Sequence, residues 1–256
     1  MTKIATWNVN SLKVRLDHVL DWLAAEKPDV LALQETKTVD ENFPAEQIEE
    51  AGYRAAFAGQ KTYNGVATLS LAPPEQIATE LPDLDDPQRR LLASTIDGVR
   101  VLNVYVPNGQ EVGSEKYAYK LDWLEKLRGY VAAEFSRHPR LVVLGDFNIA
   151  PEDRDVHDPE EWRGKILCSE PERAALGARL DLGLSDLFRI FDQEERLFSW
   201  WDYRRLGFRR NHGLRIDLIL GSSSLAQACT SSRIDKEPRK LERPSDHTPV
   251  VAEFDL

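Results

Sequence analysis

Short apolar runs followed by polar residues recur along the whole chain. Residues 141–144 are four consecutive apolar residues, Gly145 follows, and Asp146 and Asn148 come next, two positions apart. Such a run is typical of a strand that is buried on both faces. Residues two apart on an extended segment point the same way. The pattern therefore predicts a carboxylate and a carboxamide side by side at a sheet edge, although an Asx-rich turn closed by Pro151 is the simpler alternative.

The same pattern predicts the other elements of the fold. Further strands are predicted at residues 3–9, 30–33, 65–71, 91–96, 99–106 and 214–220, with a last strand after His247. Asp97-Gly98 is a two-residue hairpin signal between two of them. A helical period predicts helices at residues 12–25, 44–51, 114–138 and 171–182, the first with Ser11 as its N-cap.

Strands and helices alternate twice, with hairpin signals as well as crossovers. This order predicts an α/β (α+β) fold in which two mixed β-sheets pack face to face with helices outside. The length of 256 residues and the absence of a low-complexity linker predict a single domain over residues 1–256.

Composition narrows the class of protein. Hydrophobic residues make up 42% and charged residues 30% of the chain, which is typical of a soluble globular protein. No apolar run approaches the length of a membrane span, and no signal peptide precedes the first strand, so we expect a cytoplasmic protein. Cys168 and Cys229 are expected to be reduced and buried. The net charge of −10 argues mildly against nucleic acid as a partner. A local cluster of basic residues can outweigh this argument.

Polar residues end several of the predicted strands, and four of them are carboxylates. The set is Asn8, Glu35, Tyr105, Asp146, Asn148, Asp217, Asp246 and His247. Two carboxylates about 4 Å apart repel by roughly 4 kcal/mol at an effective dielectric near 20. Such a cluster stays ionised only beside a cation or a histidinium. Oxygen ligands without a CxxC or HExxH motif favour Mg²⁺, with Mn²⁺ as a substitute, and fit metal-assisted phosphoester hydrolysis.

Nine sequence blocks in order carry a family resemblance over nearly the whole chain. They are WNVNSL (7–12), LALQETK (31–37), GQKTYNGVA (59–67), DDPQRR (85–90), NVYVPNG (103–109), LGDFNIAP (144–151), FSWWDYR (198–204), GLRID (213–217) and PSDHTP (244–249). The chain resembles the exodeoxyribonuclease III branch of the class II abasic-site (AP) endonucleases, in the endonuclease/exonuclease/phosphatase superfamily. The resemblance implies a DNase I-like, four-layered αββα sandwich.

The resemblance also implies a metal site and a nucleophile. Glu35 would be the principal metal ligand, with Asn8 and Asp246 close by. Asp146 would orient or deprotonate the attacking water, and Asn148 would hold that water or a phosphate oxygen. Both are therefore also candidate metal ligands.

The remaining implied roles concern the phosphate. Asp217 would hydrogen-bond His247 and favour its cationic form. His247 would lie on the scissile phosphate and stabilise the charge that develops there. Tyr105 would donate to the phosphate or to its leaving oxygen, and Asn108 would help to hold the same phosphate.

Simpler roles exist for several of these residues. Asp217 pairs with Arg215 in one alternative, and Tyr105 is a core tyrosine in another. In two further alternatives, Glu35 caps the helix that follows it, and residues 245–247 form an Asx turn with a surface histidine.

A basic, aromatic segment at residues 196–215 points to the substrate. It holds six arginines and one acid, with Trp200, Trp201, Tyr203 and Phe208 among them. Arginines contact phosphates, and an aromatic ring fills the gap left by a missing base. The candidate DNA-contacting residues are Asn10, Arg89, Arg90, Asn108, Lys116, Leu167, Trp200, Arg204 and Arg209, and the resemblance places Trp200 against the abasic sugar. Acidic runs at 80–86, 152–161 and 192–195 predict a bipolar surface.

The resemblance implies a monomeric, Mg²⁺-dependent repair phosphodiesterase for double-stranded DNA with abasic sites or blocked 3′ ends. Exonuclease, 3′-phosphatase and AP endonuclease activities are expected. The bulky Leu167, in a segment facing the DNA groove, favours the alternative that internal abasic-site cleavage is weak while 3′-end trimming is kept. An inositol- or lipid-phosphate phosphatase predicts an apolar membrane-facing loop, and a catalytically dead DNA-binding module predicts lost catalytic residues; the chain has neither feature.

Overall fold

Fourteen strands build two large sheets and one short ribbon. In the computed structural model, which describes residues 1–256, the strands are β1 (Thr2–Asn8), β2 (Val30–Gln34), β3 (Arg54–Ala58), β4 (Val66–Ser70), β5 (Glu75–Ala78), β6 (Leu91–Ile96), β7 (Val99–Tyr105), β8 (Leu141–Asp146), β9 (Leu184–Asp186), β10 (Trp200–Trp201), β11 (Gly213–Leu214), β12 (Asp217–Ser222), β13 (Cys229–Ile234) and β14 (Val250–Phe254). The first sheet has the order β13-β14-β1-β2-β4-β3 and the second the order β5-β6-β7-β8-β12-β9.

Both sheets are mixed, as predicted. β1 and β2 are parallel in the first sheet, and β7 and β8 are parallel in the second. All other neighbours within the two sheets are antiparallel. The carboxyl ends of each parallel pair therefore lie at one edge of their sheet.

Seven α-helices lie between the strands along the chain, and the longer ones cover the outer faces of the two sheets. They are α1 (Leu12–Glu26), α2 (Ala45–Glu50), α3 (Glu115–Arg137), α4 (Pro159–Trp162), α5 (Glu170–Leu180), α6 (Gly207–Arg210) and α7 (Ser223–Ala228), with short 3₁₀ turns at Asp40–Asn42, Asp153–Asp155, Arg204–Leu206 and Glu237–Lys240. Leu12 of α1 packs with Trp7 of the first sheet, and Trp123 of α3 packs with Val143 of the second. A third cluster, which includes Val30 and Val142, fills the space between the sheets. The four-layered αββα sandwich is confirmed.

Side-chain capping marks the start of α3 and α5, whereas the cap predicted for α1 is absent. Ser114 caps α3 by accepting a hydrogen bond from the Tyr117 N–H at 3.1 Å. Ser169 and Glu172 form a capping box at the start of α5. The predicted cap at Ser11 is wrong, because Ser11 has φ +92° and its side chain makes no cap bond. The expectation that both cysteines are buried holds for Cys168 only.

None of the helices combines the length and the apolar character that crossing a membrane requires.

Asn103 joins the two sheets through a buried amide. It lies on β7 of the second sheet, and its Nδ2 donates to the carbonyls of Leu33 (3.1 Å) and Ala67 (2.9 Å) in the first. Its Oδ1 accepts from Gln34 Nε2 at 2.8 Å. Asn103 and Gln34 are fully buried, so these bonds form where water is excluded. The contact lies next to the edge at which β2 ends and therefore fixes the two sheets relative to each other there.

We expect Asn103→Leu to lower the free energy of unfolding by roughly 2–3 kcal/mol, because it strands the buried Gln34 amide and two buried carbonyls. Urea unfolding measures the loss, and the exposed Asn42→Leu serves as the matched control with a change below about 0.5 kcal/mol. A loss for Asn103→Leu no larger than that of the control would contradict a role in joining the sheets.

Candidate active site

Sheet register gathers the polar residues at one edge of the sandwich. Asp146, at the end of β8, is paired with Tyr105 at the end of β7 and with Asp217 at the start of β12. Gly145 has φ +142°, and a Cβ there would lie 1.9 Å from the Val104 carbonyl oxygen, so only glycine fits before Asp146. Ligand atoms of Glu35, Asp146 and His247, from three distant parts of the chain, lie within 4.8 Å of one another.

A buried imidazole lies between two aspartates. His247 is 4% exposed, with Nδ1 at 2.9 Å from Asp217 Oδ2 and Nε2 at 3.7 Å from Asp146 Oδ2. Burial by itself lowers the pKa of His247, but the charges of Asp217 and Asp146 outweigh it and raise the pKa to about 10. His247 is therefore an imidazolium at neutral pH. Its burial also rules out the alternative of a surface histidine on an Asx turn.

Asp217 is held by a serine that the sequence analysis missed. Ser199 Oγ donates to Asp217 Oδ2 at 2.7 Å and accepts from the Asp217 N–H. The only sequence signal was a small hydroxyl residue inside an aromatic run, which is weak. Arg215 pairs with Asp155 and Asp186 at 2.7 Å each, so the alternative of an Asp217–Arg215 pair is wrong.

Asp146 is surrounded by donors. Its Oδ2 accepts from Asn8 Nδ2 at 2.9 Å, and its Oδ1 accepts from the Asn148 N–H at 2.9 Å. Burial raises the pKa of Asp146 to about 7, even though the neighbouring His247 lowers it, and Asp217 adds to the rise. A carboxylate with a pKa near neutrality is suited to accept a proton.

Asn8 bridges the two carboxylates of the cluster. Its Nδ2 lies 2.9 Å from both Glu35 Oε1 and Asp146 Oδ2. Glu35 has φ +50°, and its Oε2 contacts Lys37 Nζ at 2.8 Å. No helix begins directly after Glu35, since the next helical turn starts at Asp40, so the helix-cap alternative is wrong.

These contacts divide the predicted metal ligands into two groups. Glu35 and Asp146 present carboxylate oxygens to one point, which is the donor set that a hard divalent ion prefers. Asn8 and Asn148 turn amide N–H groups toward Asp146, as holders of a carboxylate do. Asp246 is not one of the three residues whose ligand atoms lie within 4.8 Å of one another, and its place near the metal stays a prediction.

Asp246 has partners of its own. Its Oδ1 accepts from Asn10 Nδ2 at 2.8 Å, and its Oδ2 accepts from Trp200 Nε1 at 3.0 Å. Burial raises the pKa of Asp246, but His247 and these two hydrogen bonds outweigh it and keep the pKa below the usual range. Asp246 therefore links the acidic cluster to the aromatic segment.

An open groove of about 780 Å³ borders the cluster on one side. Tyr105, Asn108, Arg90 and Lys116 are among its lining residues, so Tyr105 is not a core tyrosine. The Arg90 guanidinium lies 4.7 Å from the centre of the Tyr105 ring. Burial, Glu35 and Asp146 raise the pKa of Tyr105 far above its usual value, so its hydroxyl keeps its proton.

The other residues predicted to contact DNA differ in how exposed their side chains are. Arg204 and Arg209 are exposed, whereas Arg89 pairs with Glu80 at 2.9 Å within the chain. Trp200 is half-buried and shares a second cavity, of about 270 Å³, with Arg204. Leu167 is only 4% exposed and packs in an apolar cluster that Trp200 covers, so it is not itself a surface contact.

Lys120 is a second residue that the sequence analysis missed. Its fully buried Nζ donates to the carbonyls of Asn148 (2.7 Å) and Asn108 (3.1 Å) and to Glu172. Asn108 Nδ2 in turn donates to Asn148 Oδ1 at 3.1 Å. A lysine on the apolar face of α3, three residues from both Tyr117 and Trp123, was the available signal. It fixes the two loops that carry Asn108 and Asn148.

The chain is similar to known proteins over its whole length. A sequence profile of the endonuclease/exonuclease/phosphatase family matches residues 5–247. The chain is 37% identical to exodeoxyribonuclease III of Haemophilus influenzae, with 98% of this chain and 99% of that protein covered. It is 50% identical to the 3′ phosphatase NExo from Neisseria bound to product DNA hairpin (TM-score 0.99) and 42% identical to an AP endonuclease from Archaeoglobus fulgidus (TM-score 0.96), each covering 100% of both chains.

Two six-stranded sheets, an edge cluster of acids around one imidazolium and these full-length similarities agree with one another. The chain therefore belongs to the endonuclease/exonuclease/phosphatase family and is a hydrolytic nuclease of DNA repair.

Proposed function

We propose that the chain is a Mg²⁺-dependent phosphodiesterase that acts on double-stranded DNA with abasic sites or blocked 3′ ends. The 3′-phosphatase, the 3′–5′ exonuclease and cleavage 5′ to an abasic site all break a P–O3′ bond and leave a 3′-hydroxyl. One site therefore serves all three. Mn²⁺ is proposed as a substitute ion, and the protein is proposed to work as a monomer in the cytoplasm.

The observation that carries the proposal is the imidazolium of His247 between Asp217 and Asp146, with Glu35 within reach of the same point. A phosphoester anion needs positive charge and a proton acceptor side by side. A buried cation that two carboxylates sustain supplies the charge without reorganisation during the reaction. Asp146, whose pKa burial raises and whose Oδ2 lies 3.7 Å from His247 Nε2, is the proposed acceptor.

Each residue then has a defined task. Asp146 takes a proton from the attacking water, and His247 stabilises the added charge on the phosphate oxygens. Tyr105 keeps its proton because burial and two neighbouring acids raise its pKa, so it can donate to the leaving O3′. Asn148 and Asn108 hold the phosphate or the water, in positions set by the buried Lys120.

Glu35 and Asp146 are the residues proposed to hold the divalent ion. When it is bound, such an ion polarises a phosphoryl oxygen and offsets negative charge. Lys37 contacts Glu35 Oε2, so a cation already balances part of this carboxylate charge. Asn8 keeps the two carboxylates together.

Two surfaces next to the cluster are proposed to hold the DNA. The groove with Arg90 and Lys116 borders Tyr105, and the exposed segment with Arg204 and Arg209 lies beyond Trp200. Five of the six arginines in the 196–215 segment are not buried, while Arg215 is buried in ion pairs. A bipolar charge distribution remains a prediction.

Leu167 supports the alternative of an exonuclease and 3′-phosphatase with weak abasic-site cleavage. Its side chain packs with Ala150, Leu214 and Ile216 in the apolar cluster that contacts Trp200, the residue that the resemblance places against the abasic sugar. Its φ of +71° is a conformation that suits glycine better than leucine.

An inositol- or lipid-phosphate phosphatase is the less favoured function. No feature of the site selects a lipid headgroup over a DNA strand, and the exposed arginines beside Trp200 favour a long polyanion.

Glu35→Gln is expected to raise the Mg²⁺ concentration needed for half-maximal activity, and to lower kcat, by at least about 100-fold, because a neutral amide replaces the ligand carboxylate. Calorimetric titration of Mg²⁺ and hydrolysis of a 3′-phosphate oligonucleotide measure the two effects. The exposed Glu41→Gln is the control. An unchanged Mg²⁺ affinity would remove Glu35 from the metal site.

Asp217→Asn is expected to lower kcat roughly 100-fold or more and to move the alkaline limb of the pH profile to lower pH. Burial lowers the pKa of His247, but Asp217 and Asp146 together raise it to about 10, and Asp217 contributes most, so its loss lets the imidazolium deprotonate at a lower pH. A pH series of kcat measures this, with the exposed Asp192→Asn as control. An alkaline limb that stays in place would exclude His247 as the charged group.

The wild type is expected to release a 3′-phosphate faster than it cleaves an internal abasic duplex, and Leu167→Gly is expected to speed abasic cleavage by roughly 10-fold or more. The 3′-phosphatase rate of the same variant is the internal control. Equal wild-type rates on the two substrates would contradict the proposal that Leu167 restricts the site.

A further inference from the structure

The exposed segment between Trp201 and Arg210 has a strained backbone. Two consecutive residues, Arg205 (φ +54°) and Leu206 (φ +56°), are left-handed although neither is glycine. Such residues cost about 1–2 kcal/mol each and persist only where the surroundings hold them. The residues that pack against the inner side of this segment therefore have to hold its backbone in this conformation.

Arg239 is the main contact beneath the segment. It comes from the turn Glu237–Lys240 and is 6% exposed. Its guanidinium carbon lies 4.9 Å from the ring centre of Phe208, 5.6 Å from Tyr203 and 5.9 Å from Trp201. No carboxylate lies within 4.0 Å of it, so the three ring faces are its nearest neighbours, and the more distant Asp246 also stabilises its charge.

The same guanidinium also contacts the loop that carries Asp246 and His247. Arg239 Nη1 donates to the Ser245 carbonyl at 2.7 Å. Ser245 Oγ donates to the Asn8 carbonyl at 2.7 Å and accepts from the His247 N–H at 3.2 Å. Ser245 is thus held between Arg239 and β1, and its hydroxyl sets the backbone position of His247.

A second contact runs in parallel. Tyr203 OH donates to the Pro244 carbonyl at 2.9 Å, and Arg15 Nη2 donates to that same carbonyl at 3.0 Å. Two successive carbonyls, at 244 and 245, are therefore held by residues that belong to or pack on the exposed segment.

We infer that Arg239 is a positioning residue that joins the proposed strand-binding segment to the loop carrying Asp246 and His247. Contact of a DNA strand with the segment then stabilises the same arrangement that aligns His247 on the phosphate. The inference rests on the proposed function, but its local part, the position of His247, does not require DNA.

The test compares Arg239→Met and Arg239→Lys with Arg179→Met. Arg179 is a matched control because it is also buried, also lacks an ion pair and also donates to backbone carbonyls, those of Ala175 and Leu124, but packs between α3 and α5. The measurements are kcat and KM on a 3′-phosphate duplex with Mg²⁺, thermal stability, and the ring ¹⁵N signals of His247 in DNA-free protein.

We expect Arg239→Met to lower kcat roughly 10-fold, more than it raises KM, and to shift the His247 signals. Arg239→Lys is expected to restore part of both, since a lysine retains a donor for the Ser245 carbonyl. Arg179→Met is expected to change stability alone. If Arg239→Met does not fold, Arg239→Lys and Phe208→Leu give smaller changes in the same direction.

Two results would overturn the inference. One is a kcat and His247 signals in Arg239→Met that match the wild type. The other is a loss of kcat that Arg179→Met reproduces at equal loss of stability. A wild-type protein that cleaves no DNA, together with shifted His247 signals in Arg239→Met, would overturn the proposed function and leave the positioning role of Arg239 standing.

Discussion

One buried imidazolium shared by two aspartates is the interaction on which the site depends. Asp146 and Asp217 lie opposite each other on the neighbouring strands β8 and β12 and have almost no exposed surface. Glu35 adds a third carboxylate nearby. Roughly 4 kcal/mol of repulsion per close carboxylate pair would otherwise oppose this edge of the fold. The charge on His247 offsets that repulsion, and the acids in turn keep His247 charged.

This arrangement explains why several residues near the site serve to position the charged side chains. Ser199 orients Asp217, Asn8 bridges Glu35 and Asp146, and Lys120 fixes the loops of two asparagines. Buried polar groups are costly when unpaired, so each charged group needs its full set of partners. The outcome is a preorganised site that does not have to rearrange as charge develops on a phosphate.

The sandwich supplies the frame for these contacts. Parallel strands β1/β2 and β7/β8 end at neighbouring edges of the two sheets, and the buried Asn103 amide fixes one sheet against the other close to those ends. The strand ends and the adjoining loops then carry the candidate active-site residues, while α1, α3 and α5 cover the outer faces. The segment beyond Trp200 carries four exposed arginines outside this frame.

The sequence by itself determined the layers and most strands, and it supplied the candidate active-site residues, because burial periodicity is local and nine motifs match a family in order. It also indicated that Glu35, Asp146 and His247 act together. Only the tertiary structure decided which groups meet. Asp246 accepts hydrogen bonds from Asn10 and Trp200, Arg215 pairs with Asp155 instead of Asp217, and Leu167 lies inside an apolar cluster. Lys120 and Ser199 gave almost no sequence signal. Partners far apart in the chain are chosen by sheet register and side-chain packing, and neither is written in local residue patterns.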